Sequence, residues 1–171
     1  MNKNNKDISQ KKVKAPKLTG EDGQSEKLEE KRIKLKKVIK PLFGKDVNDP
    51  PEIGDLTNLS TLLLYNNQLT GSIPSEIGNL TNLTYLNLGD NQLIGSIIPE
   101  IGNLTNLSTL LLYNNQLTGE IPESICSLTN LNWSSEWISF GYSYIYNNQL
   151  CPPYPSCIED YVGEQDTSAC D

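Results

Sequence analysis

Histidine is absent from the 171 residues, and the sequence has only one methionine and two phenylalanines. A chain without histidine lacks the commonest general base and the commonest metal ligand of proteins. It also lacks a GxGxxG or P-loop motif. The four cysteines do not have the short pair spacing that is typical of zinc sites. We therefore expect no catalytic residue, no metal site and no cofactor.

Basic residues are missing from most of the chain, because all 14 Lys and Arg lie between Lys3 and Lys45. Residues 1–49 also contain 8 of the 21 acidic residues, so their net charge is 14 − 8 = +6, and residues 50–171 carry the other 13 acidic residues, or −13. So sharp a split indicates two segments of different character. The acidic segment would repel phosphate, so nucleic acid is not an expected partner.

Long apolar runs are missing too, which predicts no membrane span. The start, MNKNNKDISQKKVK, lacks the apolar stretch of a signal peptide. Residues 1–24 are predicted to be a disordered basic tail. Residues 25–49 are predicted to be a helix and linker, because Leu28, Leu35 and Ile39 fall at helical spacing before Pro41. Three interpretations stay open for residues 1–49. They form a helix that covers the end of the acidic segment, or a solvated linker, or an unrelated start that is joined to a truncated series of sequence repeats.

What the sequence does contain is a 24-residue unit that begins at Leu56 and occurs three times, as Leu56–Asn79, Leu80–Asn103 and Leu104–Ser127. A fourth copy begins at Leu128 and carries about nine extra residues, 132–140, before it resumes. Leucines two positions apart in each copy indicate a short strand with both side chains on one face. A single copy cannot bury that face, so stacked copies should pair parallel strands around one core. The predicted strands are Thr61–Leu64, Tyr85–Leu88, Thr109–Leu112 and Tyr144–Tyr146.

An asparagine recurs just after each predicted strand, and these four residues form a column: Asn67, Asn91, Asn115 and Asn148. A buried side-chain amide can satisfy backbone groups where the chain turns inward. We expect the column to have this structural role, bonding its own turn and the next repeat.

The pattern LxxLxxLxLxxNxLxGxIPxxIGxL resembles the plant-type leucine-rich repeats of receptor-kinase ectodomains, polygalacturonase-inhibiting proteins and secreted bacterial repeat proteins. The resemblance covers residues 50–150. It implies a leucine-rich-repeat solenoid, with a short curved parallel β-sheet on the concave side and helical or irregular turns on the convex side. One departure is that the cysteine-bearing N-terminal cap usual in plant members is not readable here.

Residues that flank the core leucines should point outward on the concave face, where tyrosines predominate. Tyrosine-rich surfaces suit recognition. The candidate ligand-binding residues are Leu63, Tyr65, Tyr85, Asn87, Asp90, Leu111, Tyr113, Tyr142, Tyr144 and Tyr146.

The cysteines, Cys126, Cys151, Cys157 and Cys170, all lie in the last third of the chain. An even number beside the exposed end of a solenoid suits a disulfide-linked C-terminal cap, residues 151–171. Three pairings are possible, and we favour Cys126–Cys151 with Cys157–Cys170. Disulfides indicate an oxidising compartment, so we expect an extracellular or cell-surface location although no signal peptide is readable.

These features predict a monomeric recognition module, not an enzyme, whose partner is a protein or peptide, with a cell-wall glycan as a second candidate. Two alternatives stay open. The chain is a structural or truncated fragment without a specific ligand, or it is the ligand-binding part of a receptor kinase whose catalytic domain is absent from these residues.

Overall fold

A computed structural model describes residues 52–135 and 141–170, which lie within one compact unit, Lys34–Asp171. The predicted tail (residues 1–24), the predicted helix and linker (25–49) and most of the extra residues of the fourth repeat (136–140) lie outside the described residues.

The first sheet contains three parallel strands in the order β1 (Thr61–Leu63), β3 (Tyr85–Asn87) and β5 (Thr109–Leu111). Equivalent residues of successive repeats pair, as in Leu62 with Leu86 and Leu86 with Leu110. The fourth repeat continues the parallel pairing only through a single bridge, Leu111 with Tyr144. The predicted parallel arrangement is therefore confirmed, although the fourth strand is reduced to that bridge.

A second parallel sheet, which the sequence did not predict, is formed by β2 (Thr70–Gly71), β4 (Gln92–Gly95), β6 (Gln116–Glu120) and β7 (Gln149–Cys151). Its register does not follow the repeat. Thr70 pairs with Gln92, 22 residues later, although the repeat is 24 residues long. Each strand therefore pairs two residues before its sequence equivalent.

Short 3₁₀ helices follow β2, β4 and β6 of the second sheet: η2 (Ser75–Asn79), η3 (Pro99–Asn103) and η4 (Glu123–Ser127). A further 3₁₀ helix, η1 (Glu52–Asp55), precedes β1, and η5 (Glu159–Tyr161) lies near the C-terminus. In the second repeat the proline lies one position late, inside η3. Ile98 occupies the equivalent of Pro74 and has nearly the same backbone angles, φ −72° and ψ 140° against −71° and 139°. The displaced proline therefore leaves the path of the chain unchanged.

The core lies between the two sheets and the 3₁₀ helices, and it is built almost entirely from leucine and isoleucine. Leu80 and Leu104 are fully buried, and each buried leucine contributes about 1.5–3 kcal/mol of hydrophobic stabilisation. Their equivalent in the first repeat, Leu56, is 37% exposed. Leu56 begins the first of the 24-residue copies, so no complete copy precedes it to cover its side chain.

The side chains of the asparagine column hydrogen-bond to backbone groups at the inward turns, and Asn115 shows the geometry. Its Nδ2 donates to the carbonyls of Leu88 (3.1 Å), Leu112 (3.0 Å) and Tyr113 (3.2 Å), and its Oδ1 accepts from the Leu93 amide (3.0 Å). Leu88 and Leu93 belong to the preceding repeat, so the expected contact with the next repeat was wrong in direction. Asn91 and Asn148 likewise bond the repeat before their own, by donating to the carbonyls of Leu64 and Leu112.

The favoured disulfide pairing was wrong. Cys126 bonds to Cys157 and Cys151 bonds to Cys170, with Cα–Cα distances of 5.7 and 5.6 Å. Cys126 lies on η4, whereas Cys151 lies on β7 at the edge of the second sheet, so neighbours in sequence lie on different parts of the repeat. Only the path of residues 152–170 decides which cysteines meet.

Candidate functional site

The side chains that alternate with the core residues of the first sheet, together with Asp90 in the turn after β3, form a surface that we call the tyrosine face. Its members are half-buried or exposed, and they are Leu63, Tyr65, Tyr85, Asp90, Tyr113, Tyr142 and Tyr146. The structure thus places seven of the ten predicted ligand-binding residues where a ligand could reach them.

The other three predicted residues are buried, and their prediction as surface contacts was wrong. Asn87, Leu111 and Tyr144 are 6%, 3% and 1% exposed. The Asn87 Oδ1 accepts a hydrogen bond from the Gly89 amide at 3.0 Å, so this side chain holds the backbone. Alternation along a strand fixes which side a residue faces but not what covers that side.

Tyr144 supports the tyrosine face from below. Its ring meets those of Tyr113 and Tyr146 edge-on, with centroid distances of 6.5 and 5.9 Å. Such arrangements are favourable for aromatic pairs. The buried Tyr144 ring therefore packs against the two half-buried rings and helps to fix their positions.

Tyr113 and Tyr146 stack on each other, with centroids 5.5 Å apart and ring planes inclined by 27°. Gly89 gives the Tyr113 ring its room, because a Cβ at that position would lie only 2.5 Å from the ring. At the position equivalent to Gly89, the first and third repeats have tyrosines, Tyr65 and Tyr113. The single exchange of tyrosine for glycine in the second repeat thus lets the Tyr113 ring lie across the sheet.

A row of polar residues in the left-handed conformation runs beside the tyrosines: Asn66 (φ 53°), Asp90 (φ 53°), Asn114 (φ 52°) and Asn147 (φ 52°). Asparagine and aspartate tolerate this conformation better than other residues that carry a side chain. Asn114 Nδ2 donates to Asp90 Oδ1 at 2.7 Å, and Asn147 Nδ2 donates to Asn114 Oδ1 at 2.8 Å. The sequence signal for this row is the first member of the Asn-Asn or Asp-Asn doublet after each predicted strand, and of these four residues only Asp90 was a predicted ligand-binding residue.

Burial and nearby groups raise the pKa of three phenols of this face, those of Tyr113, Tyr146 and Tyr85. Burial, and then the charge of the Asp90 carboxylate and a hydrogen bond to it, raise the pKa of Tyr113. Burial and the Asp90 charge likewise raise the pKa of Tyr146. Burial and the neighbouring phenols of Tyr65 and Tyr144 raise the pKa of Tyr85. These hydroxyls therefore act as neutral hydrogen-bonding groups, and Asp90 supplies the charge within the tyrosine face.

Within residues 52–135 and 141–170, no three metal-ligating side chains come together. The same part of the chain contains no helix that is both long and apolar enough to cross a bilayer.

The fold and this surface define a parallel-strand repeat solenoid with an aromatic face on its first sheet. Family models confirm the repeat type: leucine-rich repeats in two copies match residues 57–103, and a leucine-rich repeat matches residues 106–128. The repeats are thus leucine-rich repeats of the plant type, and the fold is a leucine-rich-repeat solenoid.

Solved structures of plant receptors are similar to the chain. The TDR receptor is 37% identical, with a TM-score of 0.56, over 67% of this chain and 18% of the receptor. The plant peptide hormone receptor RGFR1 in complex with RGF2 is 38% identical, with a TM-score of 0.53, over 64% and 16%. The Arabidopsis receptor kinase HAESA, in complex with the peptide hormone IDA and the co-receptor SERK1, is 30% identical, with a TM-score of 0.53, over 67% and 23%.

The chain thus spans less than a quarter of the length of these three structures. No curated protein sequence matches it.

Proposed function

We propose that this chain is a peptide- or protein-recognition module that binds its ligand on the tyrosine face. The observation that carries the proposal is the half-buried Tyr113–Tyr146 stack, which packs edge-on against the buried Tyr144. A fixed aromatic pair offers a large contact area at low entropic cost, and tyrosines are common binding anchors. The similar structures include receptors solved with peptide ligands, which supports the same use of the fold.

The fold itself does not require these rings at the surface. The core beneath them is already filled by Leu86, Leu110 and their equivalents, all fully buried. An exposed apolar ring surface gains stabilisation when a partner removes it from water, at roughly 25 cal/mol per Å² of apolar area. The rings of the tyrosine face are therefore better suited to binding a partner than to stabilising the fold.

We place the module outside the cytoplasm, because its two disulfides persist in oxidising compartments. The alternative of a ligand-binding part of a receptor kinase is compatible with this proposal. A fragment without a specific ligand is the alternative that a peptide selection tests.

A library of random linear peptides would be selected on the oxidised full chain, and the enriched peptides measured against a variant carrying Tyr65→Ser, Tyr113→Ser and Tyr146→Ser. We expect at least about tenfold weaker binding, the loss that corresponds to 1.4 kcal/mol. Ile94→Ser is the matched control, because Ile94 is 50% exposed but lies on the second sheet. Its binding should equal that of the wild type.

Two outcomes would contradict the proposal. One is that no peptide is enriched, or that the chain binds glycans on an array but binds no peptide. The other is that the triple variant, shown to be folded by its unfolding transition, binds as tightly as the wild type.

A further inference from the structure

We propose that Asp90, together with the Tyr113–Tyr146 stack, forms a binding site for a cationic group of the ligand, specifically the guanidinium of an arginine side chain. The inference rests on the proposed function, because it names the chemistry that the tyrosine face would select. Nothing in the repeat pattern itself requires such a site.

The first argument is the exchange of one residue in the polar row. Asn66, Asn114 and Asn147 occupy the equivalent position in the other repeats and share its left-handed conformation. The second repeat alone has a carboxylate there. An asparagine at position 90 would serve the row equally well, since Asn114 Oδ1 accepts the Asn147 amide just as Asp90 Oδ1 accepts the Asn114 amide. The fold therefore does not explain the negative charge.

The second argument is that this charge has no cationic partner in the described part of the protein. Its hydrogen-bonding partners, the Asn114 amide and the Tyr113 hydroxyl, are neutral. Residues 52–135 and 141–170 contain no lysine or arginine. A cation that arrives with a ligand would thus meet a half-buried carboxylate without displacing an internal ion pair.

The third argument is the aromatic surface around the carboxylate. The Tyr113 hydroxyl hydrogen-bonds to the Asp90 carboxylate, and the Tyr146 ring stacks on the Tyr113 ring with centroids 5.5 Å apart. A cation within about 6 Å of a ring centroid is attracted by the face of the ring. Guanidinium suits this combination better than ammonium, because its planar fork can stack on an aromatic ring and donate to a carboxylate at once.

The test compares Asp90→Asn with Glu100→Gln, using the peptides selected on the wild-type chain. Asp90→Asn introduces the residue that the other repeats already carry, so it keeps the polar row and removes only the charge. Glu100→Gln removes the same charge from η3, away from the first sheet. We expect arginine to be enriched in the selected peptides. Asp90→Asn should weaken their binding by roughly ten- to hundredfold, as is typical of a charge-assisted hydrogen bond. Glu100→Gln should have no effect.

A second measurement links the two partners directly. Replacing the peptide arginine by citrulline, its neutral isostere, should weaken binding to the wild type but hardly affect binding to Asp90→Asn, because the two changes remove the same contact. Additive losses would show that arginine binds elsewhere, and would overturn the inference.

The inference and the proposed function can fail separately. If enriched peptides lose affinity for the tyrosine variant but carry no arginine, or bind Asp90→Asn unchanged, recognition stands and the cation site is refuted. If no peptide is enriched, the proposed function fails. The cation site is then decided by titration with N-acetylarginine-N-methylamide, followed through the tyrosine ring signals by NMR. Signals that shift with this probe, but not with its citrulline analogue, would retain the site, and unchanged signals would refute it.

Discussion

Gln165 repeats, beyond the last leucine-rich repeat, the hydrogen-bonding role that Asn148 has one repeat earlier. Asn148 Oδ1 accepts from the Leu117 amide at 3.0 Å, and Gln165 Oε1 accepts from the equivalent amide, that of Leu150, at 3.3 Å. The donor groups correspond as well, since Asn148 Nδ2 and Gln165 Nε2 each donate to a core-strand carbonyl of the preceding repeat. The asparagine column thus ends in a glutamine.

The first prediction concerns this end of the column. Gln165→Ala leaves the Leu150 amide and the carbonyls of Ile145 and Val162 without their side-chain partner. We expect the free energy of unfolding in urea to fall by about 1–3 kcal/mol. Gln92→Ala, at an exposed position of β4, is the control and should change it by less than about 0.5 kcal/mol. Equal values for the two variants would show that Gln165 contributes nothing to the column.

The second prediction concerns the middle of the column. Asn115→Ala should lower the free energy of unfolding by about 1–3 kcal/mol, because three buried hydrogen bonds and one part-buried hydrogen bond lose their partner. Asn115→Asp should destabilise the fold at least as much, because it places a carboxylate oxygen against the three carbonyls to which the amide nitrogen donates. The neighbouring exposed Gln116→Ala is the control. An Asn115→Ala midpoint equal to that of the wild type would contradict the structural role.

The third prediction concerns the disulfides. Peptide mapping of the unreduced protein should recover Cys126 with Cys157 and Cys151 with Cys170, and no free thiol. The two bonds close loops of 31 and 19 residues in sequence, so removing either pair with serine should cost about 3–4 kcal/mol in the chain-entropy model. Recovery of Cys126 with Cys151 would refute the pairing.

The fourth prediction concerns pH. Burial and Asp90 raise the pKa of Tyr113 in the folded protein, so the unfolded chain ionises first as the pH rises. The stability from this group is fully present below about pH 10 and is lost above it. Tyr113→Phe should therefore flatten the fall in the free energy of unfolding between about pH 9 and pH 11. Asp90→Asn should flatten it less, because burial is the larger cause. An unchanged slope in Tyr113→Phe would contradict this assignment.

The sequence by itself determined the repeat, its parallel strands and the asparagine column. These features obey short-range rules: alternate leucines make a strand with one apolar face, and identical copies can share a core only by stacking in the same direction. Most of the surface tyrosines were predicted for the same reason, since Tyr65, Tyr85 and Tyr113 each flank a core leucine.

Only the tertiary structure decided what covers each outward residue, which cysteines meet and how the second sheet is registered. Leu63 and Leu111 occupy equivalent positions, yet one is 37% exposed and the other 3%. Burial depends on neighbours that are distant in sequence, and the pattern of a repeat contains no information about them. The role of Gln165 was not predicted from the sequence for a related reason. Its longer side chain reaches the Leu150 amide and the Ile145 carbonyl from a backbone position that does not follow the repeat spacing.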